Sequence, residues 1–368
     1  MASDQTATPP EAGAGDATTA APPGGGRPRR TIGQRARTAA SFRNSSAVYV
    51  FIVVFVVFAL WIPDKFLTST TWRTLLDNQA FTALVAVGLV VALSAGVFDL
   101  AVGAEVGFGA IFCAWLLGMK GVPIVPAIAL TIVAGGVIGI VNGLLVTKVR
   151  IDSFIATLGV SSVLLAMIAW VSDSQQILGL GTSFQNIATK QIFGVTLPVY
   201  IMLVIAAVIW YLLERTPAGR RIYATGGNIE AAKLAGVRTS TVIVIAFVVS
   251  GAVAAATGVL ISSQLATGDP TVGPSYLLPA FSAAFLGSTQ FRGGRFNIWG
   301  TVVAVYVLAL GVKGLQLAGA PVWIPDLFNG VALLVAVGLA KYERASAQTS
   351  AIRRMITRRT AEPDTEAV

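Results

Sequence analysis

Long apolar runs separated by short polar segments dominate the chain from residue 47 onward. A helix needs about 20 apolar residues to cross the hydrocarbon core of a bilayer, and most of these runs approach that length. The pattern predicts ten membrane segments, of which 277–289 is too short to cross unaided and suits a tilted or re-entrant half-helix. The ten runs are 47–62, 80–97, 104–119, 122–146, 154–171, 197–213, 242–265, 277–289, 298–319 and 323–340. We therefore expect an all-α polytopic membrane protein with about ten transmembrane helices, some of them broken or re-entrant.

The composition agrees with a membrane protein. Of the 368 residues, 55% are hydrophobic and only 12% are charged, and the mean hydropathy is +0.76. These values exclude a soluble enzyme, a secreted disulfide-rich domain and a nucleic-acid-binding domain. The single cysteine, Cys113, cannot close an internal disulfide, and the absence of histidine removes His-based catalysis and most zinc chemistry.

Basic residues are distributed unevenly along the chain, and this predicts its orientation. With the N-terminus in the cytoplasm and ten crossings, the cytoplasmic segments hold 21 of the 26 Lys and Arg residues. Lys and Arg in short loops favour the cytoplasmic side, so both termini are predicted to be cytoplasmic. The chain then divides into a disordered basic arm (1–46), a transmembrane domain (47–340) and a basic tail (341–368). Contact of the two ends with anionic lipid headgroups accounts for the net charge of +9 without nucleic acid.

The segment 93–110 places two acidic residues in an apolar region. Asp99 and Glu105 lie among glycines that include Gly103, and 98–103 has no basic residue although it would nominally face the cytoplasm. We therefore predict an unwound break inside the membrane between two half-helices. Two compatible interpretations of the carboxylates remain open. Asp99 caps the following half-helix, with Glu105 near the same positive end, or the break lines a translocation path.

The polar segment 214–241 is the longest predicted cytoplasmic loop. Asn228 is a suitable N-cap for a short helix over Ile229–Leu234, and Gly236 is a suitable C-terminal stop. Gly226-Gly227 is a turn signal on the N-terminal side of this helix. A loop of this length and polarity predicts a short docking helix on the cytoplasmic face, with a solvated loop near the headgroups as the alternative.

Motifs for nucleotide binding and catalysis are missing from the sequence. There is no GxxxxGK[ST] loop to bind ATP, and no GxSxG, HExxH, CxxC or dinucleotide-binding glycine fingerprint in a usable context. No nucleophile, base and orienting group are brought together by the pattern. We therefore predict no catalytic residue, no metal-binding residue and no cofactor in this chain.

Five segments, taken in their order and spacing, carry a resemblance to a known family. They are Gly96–Gly103 (GVFDLAVG), Asn142-Gly143, Phe154–Gly159 (FIATLG), Gly219–Gly236 (GRRIYATGGNIEAAKLAG) and Leu286–Thr301 (LGSTQFRGGRFNIWGT). Over roughly residues 47–340 the chain resembles the membrane permease subunits of bacterial ABC sugar importers of the ribose/xylose/galactose type. In that family the first segment reads G-x-[IF]-D-L-S-V-G.

The resemblance implies an importer made of several different subunits in a bacterial plasma (inner) membrane. Two permease copies, expected to be a homodimer, form the pathway, and an extracytoplasmic solute-binding protein delivers the sugar. A separate ATP-binding-cassette ATPase subunit, which holds ATP and Mg, docks from the cytoplasm. In such importers a cytoplasmic coupling helix transmits the ATPase's motion to the spans, and EAAKLAG (Glu230–Gly236) matches its signature.

The resemblance therefore assigns two sets of residues. The set expected to couple to the ATPase is Arg220, Gly226, Gly227, Asn228, Glu230, Ala231, Ala232, Lys233 and Gly236. The set expected to line the translocation pathway is Phe98, Asp99, Leu100, Gly103, Glu105, Asn142 and Phe154.

The chain departs from the family pattern at Val97, Ala101, Glu105 and Phe296, and Glu105 has no counterpart in that pattern. The resemblance leaves three classes of transported solute open: a sugar, a polyol or a nucleoside. Two other functions stand beside the importer permease: an ion-coupled secondary transporter that uses Asp99 and Glu105 as proton or cation sites, and an intramembrane enzyme. A requirement for ATP, an ATPase subunit and a binding protein separates the first from the second.

Overall fold

A computed structural model of the chain describes residues 46–290 and 295–338, and within these ranges the side chains of 51–288 and 295–338. The helices are α1 (Ser46–Trp61), α2 (Pro63–Phe66), α3 (Ser69–Ser94), α4 (Val102–Ala114), α5 (Ile124–Leu144), α6 (Ser153–Ser172), α7 (Thr182–Thr189), α8 (Leu197–Arg215), α9 (Pro217–Gly227), α10 (Ile229–Leu234), α11 (Thr239–Leu265), α12 (Leu277–Gln290), α13 (Ile298–Leu317) and α14 (Ile324–Gly338). An antiparallel hairpin, β1 (Gln191–Ile192) and β2 (Val195–Thr196), separates α7 from α8. Single π-helical turns, Trp115–Met119 and Leu145–Val149, extend α4 and α5, and a 3-10 turn, Gly273–Tyr276, precedes α12.

The prediction of a mostly helical, multi-pass membrane protein is confirmed, with one short hairpin between α7 and α8. Within residues 46–290 and 295–338, seven helices, fewer than the ten predicted segments, are long and apolar enough to cross a bilayer: α3, α6, α8, α11, α13, and α4 and α5 with their π-helical turns. Every predicted apolar run falls on a helix, but three of those helices are shorter. They are α1 with 16 residues, α12 with 14 residues, and α14. The predicted half-helix at 277–289 is therefore Leu277–Gln290, which is too short to cross a bilayer upright.

Two helices form the centre of the fold. In α3 every residue from Ala80 to Ser94 is buried, and α11 is buried along its packing face against α4 and α5. Glycines of α5 permit the close approach: a Cβ on Gly135, Gly139 or Gly143 would collide with α11. Small residues at helix interfaces are the usual means of close packing in membranes, where lipid is as apolar as the side chains.

Segments predicted to lie on the outer side meet at one end of the bundle. Ile177, after α6, forms an isolated antiparallel bridge with Gly268, after α11. Beside it, the Gln176 amide donates to Asp269 Oδ2 at 3.0 Å. The predicted arm (apart from Ser46) and the basic tail lie outside the described residues, as do residues 291–294 within the segment Leu286–Thr301.

Candidate functional site

The predicted break is present, but it is shifted toward the N-terminus. Helix α3 ends at Ser94 and α4 begins at Val102, so the non-helical residues are 95–101 and not 98–103. Gly103 therefore lies in the first turn of α4. The early end of α3 has a backbone cause, because Gly96 has a φ of +83°, a conformation that ends a helix and favours glycine.

The hydroxyl groups of α6 satisfy the unwound backbone. The Phe98 N–H donates to Ser153 Oγ at 3.1 Å, and the Leu100 N–H donates to Thr157 Oγ1 at 3.0 Å. Backbone that leaves its helical ladder inside a membrane must find such partners, because lipid offers none. The start of α6, which includes the FIATLG segment, thus holds the break in its conformation.

Three polar members of the predicted pathway set are fully buried. Asp99, Glu105 and Asn142 each have 0% exposure. Asp99 Oδ1 accepts from the Ala101 N–H at 3.2 Å, and Glu105 Oε1 accepts from Asn142 Nδ2 at 3.2 Å. Ala101, not Asp99, is the N-cap residue of α4, so the carboxylate closes a turn just before the helix instead of occupying the cap position.

The two aromatic members of the same set are exposed. Phe98 is 42% exposed and Phe154 is 52% exposed, while Leu100 is partly buried. The Phe98 ring stacks on Phe285 of α12 at a centroid distance of 6.5 Å, and Phe285 in turn meets Phe296 edge-on at 5.4 Å. These aromatic contacts link the break to the start of α13.

The predicted coupling segment contacts the break directly. Gly226 and Gly227 are the last residues of α9 and not a turn, as the sequence had suggested. A Cβ on Gly226 would collide with the carbonyl oxygen of Ser94, whereas a Cβ on Gly227 would meet nothing within 4 Å. A cavity of about 530 Å³ lies at this contact, lined by Gly96 and Phe98 of the break, by Tyr223 and Gly226 of α9, and by Arg295.

Tyr223 joins the coupling segment to the segment before α13. Its hydroxyl donates to the Phe296 carbonyl at 2.9 Å, and the Arg295 guanidinium carbon lies 3.5 Å from the centroid of its ring. Stacking of a guanidinium on an aromatic face is favourable by cation–π attraction. The cavity is therefore enclosed by segments from three separate parts of the sequence.

The short helix α10 has the bounds that its sequence predicts. The Asn228 side chain accepts from the Ala231 N–H at 2.9 Å, and Gly236 has a φ of +81° just after the helix. Its only buried residue is Ala232, and Lys233 Nζ pairs with Glu230 Oε1 at 2.8 Å on the exposed side. Leu234 is 90% exposed. The helix thus presents an apolar side chain and a pair of opposite charges to its surroundings.

The remaining predicted coupling residues lie on the same surface. Arg220 on α9 and Ala231 on α10 are both exposed. All nine coupling residues fall in one continuous segment, 220–236, and this segment contacts the break where Gly226 meets Gly96.

Sequence reasoning missed four residues of this region: Ser153, Thr157, Tyr223 and Ser250. Ser250 on α11 is fully buried and faces Asp99. Thr157 and Tyr223 fall within segments that carry the family resemblance, and this was a signal for a structural or functional role. The sequence pattern did not indicate which backbone groups their hydroxyls contact.

A comparison of the sequence with protein families gives a match over residues 74–337. The matching family is described as the permease component of the branched-chain amino acid transport system. The chain belongs to this permease family. The resemblance drawn from the sequence is thereby confirmed, and the break and the 220–236 segment both lie inside the matched region of the permease.

Several curated relatives of the permease are sugar permeases, and the chain covers most of their length. The ribose import permease protein RbsC of Bacillus subtilis (strain 168) is 35% identical over 298 residues, which cover 80% of this chain and 92% of the relative. The L-arabinose ABC transporter permease protein AraH of Azospirillum brasilense is 31% identical over 82% of this chain and 88% of the relative. The D-allose transport system permease protein AlsC of Escherichia coli (strain K12) is 27% identical over 79% and 89%. No solved structure matches the permease.

Proposed function

We propose that this permease is the transmembrane subunit of an ATP-binding-cassette importer for a sugar or a related small polar solute. The observation that carries the proposal is the family match over residues 74–337, together with the relatives' printed functions. The chain has no P-loop of its own, so a separate ATPase subunit with ATP and Mg supplies the energy.

In this proposal α10 is the contact point for the ATPase. Leu234 is an exposed apolar side chain that can anchor the ATPase, and the Glu230–Lys233 ion pair fixes the orientation in which the ATPase binds. Apolar anchors carry most of the affinity of an interface, and charges at its rim fix the register. Motion at α10 is expected to reach α9 and, through the Gly226–Gly96 contact, the break.

The translocation pathway in this proposal runs past the break. The predicted set comprises Phe98, Asp99, Leu100, Gly103, Glu105, Asn142 and Phe154. The exposed rings of Phe98 and Phe154 line the pathway in this proposal. Asp99, Glu105 and Asn142 are fully buried and support that lining from the protein interior. Broken helices within the membrane are where transporters place substrate groups.

The proposed setting is the bacterial inner membrane, with ten membrane segments and both termini in the cytoplasm. This orientation places α9 and α10 on the cytoplasmic side and the Ile177–Gly268 bridge on the other side. A solute-binding protein delivers the solute to that outer end, and a second copy of the permease completes the pathway as a homodimer.

Uptake by proteoliposomes tests the proposal. The purified permease is reconstituted with a candidate ATPase subunit and a candidate solute-binding protein, and D-ribose, L-arabinose and D-allose are supplied in turn as labelled solutes. We expect uptake only when ATP, the ATPase and the binding protein are all present. Uptake by the permease alone, driven by a proton or sodium gradient, would refute the proposal and favour the secondary transporter.

A further inference from the structure

Glu105 of α4 and Asn142 of α5 form an incomplete pair inside the helix bundle. Asn142 Nδ2 donates to Glu105 Oε1 at 3.2 Å, and both side chains have 0% exposure. The second oxygen of each group, Glu105 Oε2 and Asn142 Oδ1, has no hydrogen-bond partner. Two acceptors thus remain unsatisfied on two side chains that already face each other.

Among the side chains that the structure describes, none beside Glu105 carries a positive charge. Helices α5, α6 and α11 have no acidic or basic residue along their lengths, and α4 has no charged residue besides Glu105. In the ranges 51–288 and 295–338, neither Glu105 nor Asp99 has a basic partner, and the titratable group that faces Glu105 is Asp99. An unpaired carboxylate buried beside a second carboxylate is costly, so the site requires a positive charge from outside.

A single proton satisfies both unpartnered oxygens. A carboxylic acid has one O–H donor, and an amide oxygen accepts. With the proton on Glu105 Oε2, that O–H donates to Asn142 Oδ1 while Asn142 Nδ2 donates to Glu105 Oε1. We propose that Glu105 binds one proton at Oε2 and is held as a neutral acid in a cyclic acid–amide pair with Asn142. The proton comes from water as the chain folds, one O–H bond forms, and no electron is transferred.

Asp99 is the carboxylate that keeps its charge. Its Oδ1 accepts from the Ala101 N–H, the Ser250 hydroxyl faces it, and it precedes the N-terminus of α4. Backbone donors and the positive end of a helix favour a negative charge. Each carboxylate has one oxygen without a hydrogen-bond partner, Asp99 Oδ2 and Glu105 Oε2, but only Glu105 faces an amide, Asn142, whose own oxygen is also without a partner. Two neighbouring carboxyl groups with such different surroundings divide into one acid and one anion.

The acid–amide pair fastens α4 to α5 at their contact with α11. A Cβ on Gly251 of α11 would lie 3.4 Å from Glu105 Oε1, which is ordinary van der Waals contact, so the pair lies directly against α11 at this glycine. The pair therefore holds the helix that follows the break. This inference concerns the chain by itself and does not rest on the proposed function.

Infrared spectroscopy of the purified permease in lipid nanodiscs tests the inference. At neutral pH we expect a carboxylic acid C=O absorption that shifts in D₂O and with ¹³C-labelled glutamate. It should disappear in Glu105→Gln and persist in Asp99→Asn. Absence of the absorption in the wild type, or its loss in Asp99→Asn but not in Glu105→Gln, would overturn the inference. The carboxylic acid absorption of the ¹³C-labelled wild type tests the inference even if a variant does not insert into the membrane.

The dependence of thermal stability on pH gives a second readout. If the folded chain binds one more proton here than the unfolded chain does, the apparent Tm falls as the pH rises from 6 upward, until the proton is lost. The amide of Glu105→Gln offers the same donor and acceptor without a proton, so the slope should become flatter, while Asp99→Asn should keep the slope. An apparent Tm that rises with sodium at constant ionic strength would identify a metal cation instead and contradict the proposal.

Discussion

Gly226, at the end of the polar α9, packs against the backbone of Gly96, the residue at which α3 gives way to the break. The Cβ that Gly96 lacks would lie 3.0 Å from the Gly226 Cα, and the Cβ that Gly226 lacks would collide with Ser94. No side chain lies between the two segments at this point. A displacement of α9 is therefore expected to move the break, because the two backbones are in direct contact at these glycines.

Gly226→Ala should damage this contact, and Gly227→Ala should not. The two glycines are neighbours in one helix, but only the Cβ at 226 meets backbone, and the Cβ at 227 meets nothing within 4 Å. Overpacking of this kind costs about 1–3 kcal/mol. We expect a lower Tm and lower ATP-driven uptake for Gly226→Ala, measured beside Gly227→Ala as the matched control. Equal effects of the two substitutions would show that helix propensity, not the contact, is responsible.

The sequence predicted the structure well where the signals are local. The helix α10 was placed at Ile229–Leu234 because Asn228 and Gly236 mark its ends, and capping depends on the nearest few residues. The membrane segments followed from the length of the apolar runs. Neither prediction needed knowledge of the rest of the fold.

The break shows where local signals fail. Its start was predicted three residues too late, and Gly96, which ends α3, contacts Gly226, a residue 130 positions further along the chain. Gly226-Gly227 was interpreted as a turn, although the lack of side chains serves a packing contact. The pairing of Glu105 with Asn142, and of Thr157 with Leu100, depends on helix rotation, and runs that are apolar on all faces do not reveal rotation.

Charge reversal on α10 should prevent binding of the ATPase. Glu230→Lys places two positive charges on adjacent positions of an exposed surface, where the chain now has an ion pair. We expect the variant to insert normally and to lose co-purification with the ATPase. The control is the double substitution Glu230→Lys with Lys233→Glu, which restores the pair within α10 in reversed order. Recovery of binding in the double variant would mean that Glu230 acts only inside the helix.

Gly236→Val should also impair binding of the ATPase, for a different reason. The φ of +81° at Gly236 is unfavourable for a β-branched residue, although a Cβ there would meet nothing within 4 Å. The substitution should therefore alter the exit from α10 and displace its exposed surface, with a loss of about 1–3 kcal/mol of local stability. Co-purification with the ATPase measures the effect. Normal co-purification would contradict the role assigned to α10.

Removal of the Thr157 hydroxyl should loosen the break. In Thr157→Val the Leu100 N–H loses its acceptor, and an unsatisfied buried donor costs about 1–3 kcal/mol. Thr257→Val is the matched control, because Thr257 is equally buried and its hydroxyl donates to the Val253 carbonyl in its own helix. We expect a lower Tm and faster hydrogen exchange at residues 98–101 for the first variant only. Equal behaviour of the two would mean that α6 does not hold the break.

Asp99→Asn should impair transport more than it impairs expression. The substituted side chain keeps an oxygen for the Ala101 N–H, so the turn before α4 survives, but the buried negative charge is replaced by an amide that faces Ser250. We expect uptake to fall by about tenfold or more while the amount of inserted protein stays close to that of the wild type. Asp269→Asn is the control, because Asp269 closes the same kind of turn with the Thr271 N–H at the exposed opposite end. A parallel loss of expression and uptake in Asp99→Asn would assign Asp99 a purely structural role, since the carboxylate would then be needed to fold the break and not to operate it.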